Sequence, residues 1–184
     1  MTPEQIFGEI LNHMVKGLMV HEQLANYYDF LGLQGYRQCH EYHFLIESQS
    51  YRKLCHYYTK KYNQVLPEFR FETPDVIPTS WRGYYRQQVD SQTKQKAVRE
   101  GLDLWVNWEE DTCALYEQMY KELSNLGEYA ASIKVSDLIR EVECELQKAE
   151  QYRLNKLSID YDMNTIIEEQ KSLHNKYEIK CKEV

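Results

Sequence analysis

VLPEFRFETPDVIPTSWRGYYRQQ, residues 65–88, is the stretch that decides the fold. Three of the four prolines of the chain lie in it, Pro67, Pro74 and Pro78, together with Gly83. Proline lacks the amide donor and clashes with the preceding turn, so no helix runs through such a stretch. It reads as an extended connector with at most one helical turn. At about 3.3 Å per residue it reaches roughly 80 Å. That exceeds the length of a helix of about 28 residues, roughly 42 Å. The connector can therefore cross a whole bundle, and the direction of the helix that follows it stays open.

On the N-terminal side, Thr2-Pro3-Glu4-Gln5 reads as a helix start, with a capping residue ahead of a proline at the first helical position. Phe7, Ile10, Met14, Gly17, His21, Leu24, Tyr28 and Leu31 then alternate in steps of three and four, which places them on one helix face. Gly32 and Gly35 mark a short turn. A second stripe follows, His40, Phe44, Glu47, Tyr51, Leu54 and Tyr58, in a helix expected to end near Asn63. So short a connection makes these two helices antiparallel neighbours.

On the C-terminal side no proline occurs after residue 78. Asp90 or Ser91 can cap a third helix with the stripe Val98, Leu102, Trp105, Glu109, Thr112, Tyr116, Met119 and Leu123. Gly127 marks a second tight turn. The fourth stripe is Ala131, Val135, Leu138, Val142, Glu145, Ala149 and Tyr152. A last amphipathic helix starts at Asp160 or Asp162, spans about 160–181, and is suited to the end of the bundle or to a partner chain. The reading is one all-α domain over residues 1–184, an antiparallel four-helix bundle with a long connector and an extra C-terminal helix.

Composition narrows the function classes. A chain of 184 residues with 42% hydrophobic residues fits one folded domain. No apolar run reaches the roughly 18 residues of a membrane span, and the N-terminus carries no signal-peptide pattern, so a cytoplasmic location is expected. Five scattered cysteines without a C-x-x-C pair suggest no zinc or iron–sulfur knot and read as free thiols, mostly buried. A net charge of −7 argues against nucleic acid. Phosphate-binding loops, dinucleotide fingerprints, serine-hydrolase elbows and H-E-x-x-H are all absent from the sequence.

Chemistry enters where the apolar stripes are interrupted. Glu47, Glu109 and Glu145 each sit in a stripe, and His21, with Glu22 beside it, sits in the first. A buried carboxylate must be paired, protonated or metal-bound. Counted outward from the first turn, His21 and Glu47 stand at nearly the same height in an antiparallel pair. Glu109 and Glu145 match more loosely about the second turn. His43, one turn before Glu47, can share its face. Two readings stay open for these residues. They can lie at stripe edges, bonded to tyrosines or Lys148, or they can form an acidic layer with histidines at mid-bundle.

Two helical hairpins, the long connector and the mid-helix carboxylates resemble the ferritin-like superfamily over about residues 4–155. Di-iron members carry a Glu on each of two helices and Glu-x-x-His on each of the other two. That resemblance implies iron as the candidate metal and Fe(II) oxidation or dioxygen activation as its chemistry. This chain has no Glu-x-x-His: Glu47 is followed at the third place by Ser50, and Glu145 by Lys148. The leading expectation is therefore a non-catalytic ferritin-like bundle that acts in binding or assembly, as a homo-oligomer or with a protein partner. The alternative is a metal-binding or ferroxidase-like protein using His21, Glu22, His43, Glu47, Glu109 and Glu145.

Overall fold

A computed structural model describes residues 1–67 and 89–183. The described residues form five helices: α1 (Pro3–Phe30), α2 (Gln34–Tyr62), α3 (Ser91–Asn125), α4 (Tyr129–Ser158) and α5 (Met163–Glu183). Most of the expected connector, residues 68–88, lies outside them.

The helix ends follow local chemistry. Thr2 and Gln5 make a reciprocal capping box ahead of Pro3. Asp90 accepts the backbone N–H of Thr93 at the start of α3, and Asp162 does the same for Thr165 ahead of α5. Helix α2 stops at Asn63, which takes the left-handed conformation. The turns after α1 and α3 pass through Gly32 and Gly127, both at φ 74°. That conformation costs glycine nothing.

Contacts fix the directions. His13 meets Thr112, Gly17 lies against Trp108, and Gly101 lies against Tyr28, so α1 and α3 run antiparallel. His43 meets Glu145, Ser50 meets Glu141 and Tyr62 meets Glu128, so α2 and α4 run antiparallel too. Helix α3 is thus parallel to α2, which settles the direction that the sequence left open. Pro67 stands beside Gly8, near the start of α1, and Val89 packs with the cluster that holds Leu31. The two chain ends flanking residues 68–88 therefore lie at opposite ends of the bundle.

All eight residues of the first stripe and all eight of the third are buried. The second is rotated from its expected face: Tyr36, Cys39, His40, His43 and Ser50 are buried, while Phe44 and Tyr51 are only half-buried. The cause is α5. It does not cap the bundle's end but lies along α2, parallel to it, with Gly35 against Gln170 and Tyr42 against Tyr177. Helix α2 must then bury two flanks. Lys156, buried near the end of α4, pairs with Glu169 and ties α5 to that helix. The cysteines are free, but only Cys39 is buried. Cys55, Cys113 and Cys181 are half-buried and Cys144 is exposed, against the expectation for most of them.

The core divides into two apolar clusters. One gathers Val20, Leu24, Leu102 and Trp105 with residues of α5, and the other gathers Phe7, Met14, Leu54, Tyr116 and Leu138. Between them lies a polar layer.

Candidate metal centre

Every helix of the four-helix bundle places a polar side chain in that layer. Helix α1 supplies His21, α2 supplies His43 and Glu47, α3 supplies Glu109 and α4 supplies Glu145. His21 Nε2 lies 3.1 Å from Glu47 Oε1 and 3.7 Å from Glu109 Oε1. His43 Nδ1 lies 3.1 Å from Glu145 Oε2. One donor atom each from His21, Glu47, Glu109 and Glu145 falls within a mutual 4.8 Å, as do those of His21, His43 and Glu145. Both histidines are fully buried, and Glu109 and Glu145 nearly so.

These atoms are close, yet they do not satisfy one another. His21 Nε2, both ring nitrogens of His43 and Glu47 Oε2 are buried and make no aligned hydrogen bond. The 3.1 Å contacts are ion-pair distances whose ring N–H does not line up with the carboxylate oxygen. Buried polar atoms in native proteins almost always find partners, so these four atoms ask for one. The donor set, two imidazoles and three carboxylates, suits a divalent transition ion such as iron, manganese or zinc.

Electrostatics agree with this. Burial opposes protonation of His21, but the carboxylates of Glu47 and Glu109 outweigh it and hold its pKa well above the ordinary imidazole value. His43 balances burial against Glu145 and is pushed up to about 9. Burial raises the pKa of Glu109, with His21 pulling the other way. For Glu145, burial is outweighed by His43 and the pKa falls. The carboxylates thus favour the positive form of both imidazoles, the sign of charge a divalent cation would bring.

A small cavity of about 40 Å³ adjoins the layer, lined by Gly17, Glu47, Trp108, Tyr116 and Glu145 among others. A single water needs about 10–15 Å³ on that measure, so a few waters or a hydrated ion fit. Gly17 keeps it open: a Cβ there would stand 2.9 Å from Glu47 Oε2.

Of the six residues expected at the site, the structure brings five together. Glu22 is not among them. It is exposed, and its carboxylate accepts the side-chain amide of Asn26. Adjacent helical residues point about 100° apart, so a buried His21 turns Glu22 outward. Lys148 is exposed and lines an outer groove with Tyr152 and Tyr177, and its charge adds to that of His43 in lowering the pKa of Glu145. Ser50 donates to Glu141, and both line the cavity beside the layer. Trp105, expected to pack, does so and also donates its indole N–H to Glu109 Oε1 at 2.9 Å. His40 meets His21 Nδ1 to Nδ1 at 2.9 Å. The H-x-x-H spacing of His40 and His43 was the sequence signal for that second histidine.

No protein-family model matches the chain, and no curated protein matches it. Solved structures do match. One described as a humanized archaeal ferritin superposes with a TM-score of 0.76 at 12% identity, over 93% of this chain and 94% of that one. A closed form of the Archaeoglobus fulgidus ferritin made by site-directed mutagenesis gives 0.76 at 13% identity, over 95% and 96%. An open-pore ferritin from the same archaeon gives 0.75 at 13% identity, over 93% and 94%. Identities this low speak for the backbone and for nothing finer. Matched almost end to end, this chain has the ferritin-like fold.

Proposed function

We propose that the chain is a metal-binding ferritin-like bundle that takes one divalent transition-metal ion at His21, His43, Glu47, Glu109 and Glu145. The observation that carries this reading is the set of buried, convergent and mutually unbonded donor atoms. It moves the metal reading ahead of the purely assembling bundle that the missing Glu-x-x-His motifs favour. Iron is the first candidate, because the structural neighbours are named ferritins. Bound iron would supply one-electron chemistry, and the chain's own residues would bind it, exclude bulk water and exchange protons for it.

The expected result of an anaerobic Fe(II) or Zn(II) titration is about one ion per chain, with release of about two protons at neutral pH, because ligating imidazoles must be neutral. The sign of the pH dependence follows. The raised His43 contributes to the stability of the metal-free fold below its unfolded value near 6.5, and that contribution is lost as pH rises through about 9. His21, raised also, acts in the same sense. His40, pushed well below the ordinary value by burial and the charges of His21 and His43, acts oppositely, costing stability as pH falls below 6.5. Metal affinity should therefore climb from pH 6 to 9, while the metal-free protein weakens over the upper part of that range. Isothermal titration in two buffers of different ionisation enthalpy reads the protons. Metal well below one per chain with an intact circular dichroism spectrum would remove the reading.

Self-association is proposed alongside, in a reducing cytoplasmic setting that suits five free thiols. It is supported by Leu126, Tyr129 and Ile133, exposed together near the turn between α3 and α4 at 47%, 69% and 62%. Adjacent apolar side chains of this kind mark contact surfaces. Sedimentation of the wild type should show an oligomer that Tyr129→Glu with Ile133→Glu dissociates. A wild-type monomer at high concentration would count against it.

A further inference from the structure

His40 belongs to no donor group, yet it is fully buried at the edge of the layer. Its ring stacks on Tyr28 at 5.5 Å and 8° and meets Trp105 edge-on at 4.9 Å. Its Nδ1 stands 2.9 Å from Nδ1 of His21. Two ring nitrogens at that distance share one proton, so one is N–H and the other a bare lone pair.

The direction of that bond decides what His21 offers the layer. A neutral His21 that accepts at Nδ1 carries its proton on Nε2 and shows a cation no lone pair. A His21 that donates at Nδ1 leaves Nε2 bare, on the side where Glu47 and Glu109 converge. The contact chooses between them: a His21 that holds a cation through Nε2 keeps its one proton on Nδ1, and His40 Nδ1 at 2.9 Å is placed to accept it. If His40 accepts at Nδ1, its own proton sits on Nε2, a buried atom with no hydrogen-bond partner in an aromatic setting.

We propose that His40 is a positioning residue of the metal centre: as a neutral acceptor at Nδ1 it fixes the tautomer and ring orientation in which His21 presents its Nε2 lone pair to the cation. This rests on the metal reading above. The usual orienting partner of a ligating histidine is a carboxylate or carbonyl. A neutral imidazole adds no charge to a pocket that already holds three carboxylates.

Two variants and one spectrum test it. His40→Phe keeps a flat ring and removes the acceptor. His40→Asn puts an amide oxygen near the place of Nδ1. Affinity for Co(II) should fall about 10–100-fold in His40→Phe, the usual loss for an orienting partner, and His40→Asn should recover most of it. In ¹⁵N spectra of the zinc-loaded wild type, His21 should be protonated at Nδ1 and metal-bound at Nε2; this readout needs no variant to fold. A His21 bare at Nδ1 would overturn the proposal. So would His40→Phe binding Co(II) as wild type does, or folded His40→Phe and His40→Asn losing affinity equally. A wild-type chain that takes up no Co(II) would instead overturn the metal reading itself.

Discussion

His21→Leu should remove metal binding altogether and also weaken the metal-free fold. His21 belongs to both groups of converging donor residues, so its loss leaves neither complete. In the metal-free chain the same ring stands between Glu47 and Glu109 as their counter-charge. Leucine fills similar space but leaves the carboxylates buried with His43 as the one remaining imidazolium. Removing one partner of a buried ionic group costs about 3–5 kcal/mol, mostly because the other partner is stranded. Chemical denaturation at neutral pH should show a loss of that order, with an unchanged m-value. His21→Leu combined with Glu109→Leu should regain much of it, since an apolar pair of matching volume can replace a buried ionic pair without loss. The two positions touch, so their effects will not add. A single variant that keeps one ion per chain at wild-type affinity would sink the assignment of His21 as a ligand.

The same residue shows how far a sequence can be read. Helical period and turn position together placed His21 level with Glu47, and the two meet at 3.1 Å. The stripes of α1 and α3 were legible in full, because each helix turns one face to a single core. The face of α2 was not, because α5 packs on its outer flank and buries Tyr36 and Cys39 as well. No periodicity in α2 announces a neighbour that comes more than a hundred residues later. Glu22 was drawn in by adjacency to His21, and a rotation of about 100° per residue excludes it. The bond between His21 and His40 depends on rotamers, which spacing does not encode. Trp105 was legible as packing, while its donation to Glu109 was hidden, since an indole buries its rings and still carries one N–H to place.

Gly35 is the residue whose reading changes most, from turn residue to contact residue, and it carries the second large expected effect. It lies in the first turn of α2. A Cβ built on it would run into the backbone carbonyl and Cα of Gln170 in α5. Its backbone N–H also points to Gln170 Oε1 at 3.4 Å. Two opposed terms act on Gly35→Ala. In an unobstructed helix the change stabilises by about 0.5–1 kcal/mol. Here the obstacle is backbone, which no rotamer change relieves, and overpacking of this kind costs about 1–3 kcal/mol or more. The net sign should be destabilising, and the damage should be local. Helix α5 is held by Ile166 and Tyr177 in the core, with Tyr161 of the turn before it, and by the ion pair of Lys156 with Glu169. It should lift from α2 before the four-helix bundle opens. Hydrogen exchange across residues 163–183 should rise, trypsin should cut earlier at Lys171 and Lys176, and Tm should fall. Metal stoichiometry should stay at one, because α5 donates no ligand. A raised Tm with unchanged exchange in α5 would show that the helices do not meet at Gly35, and the docking of α5 along α2 would fall with it.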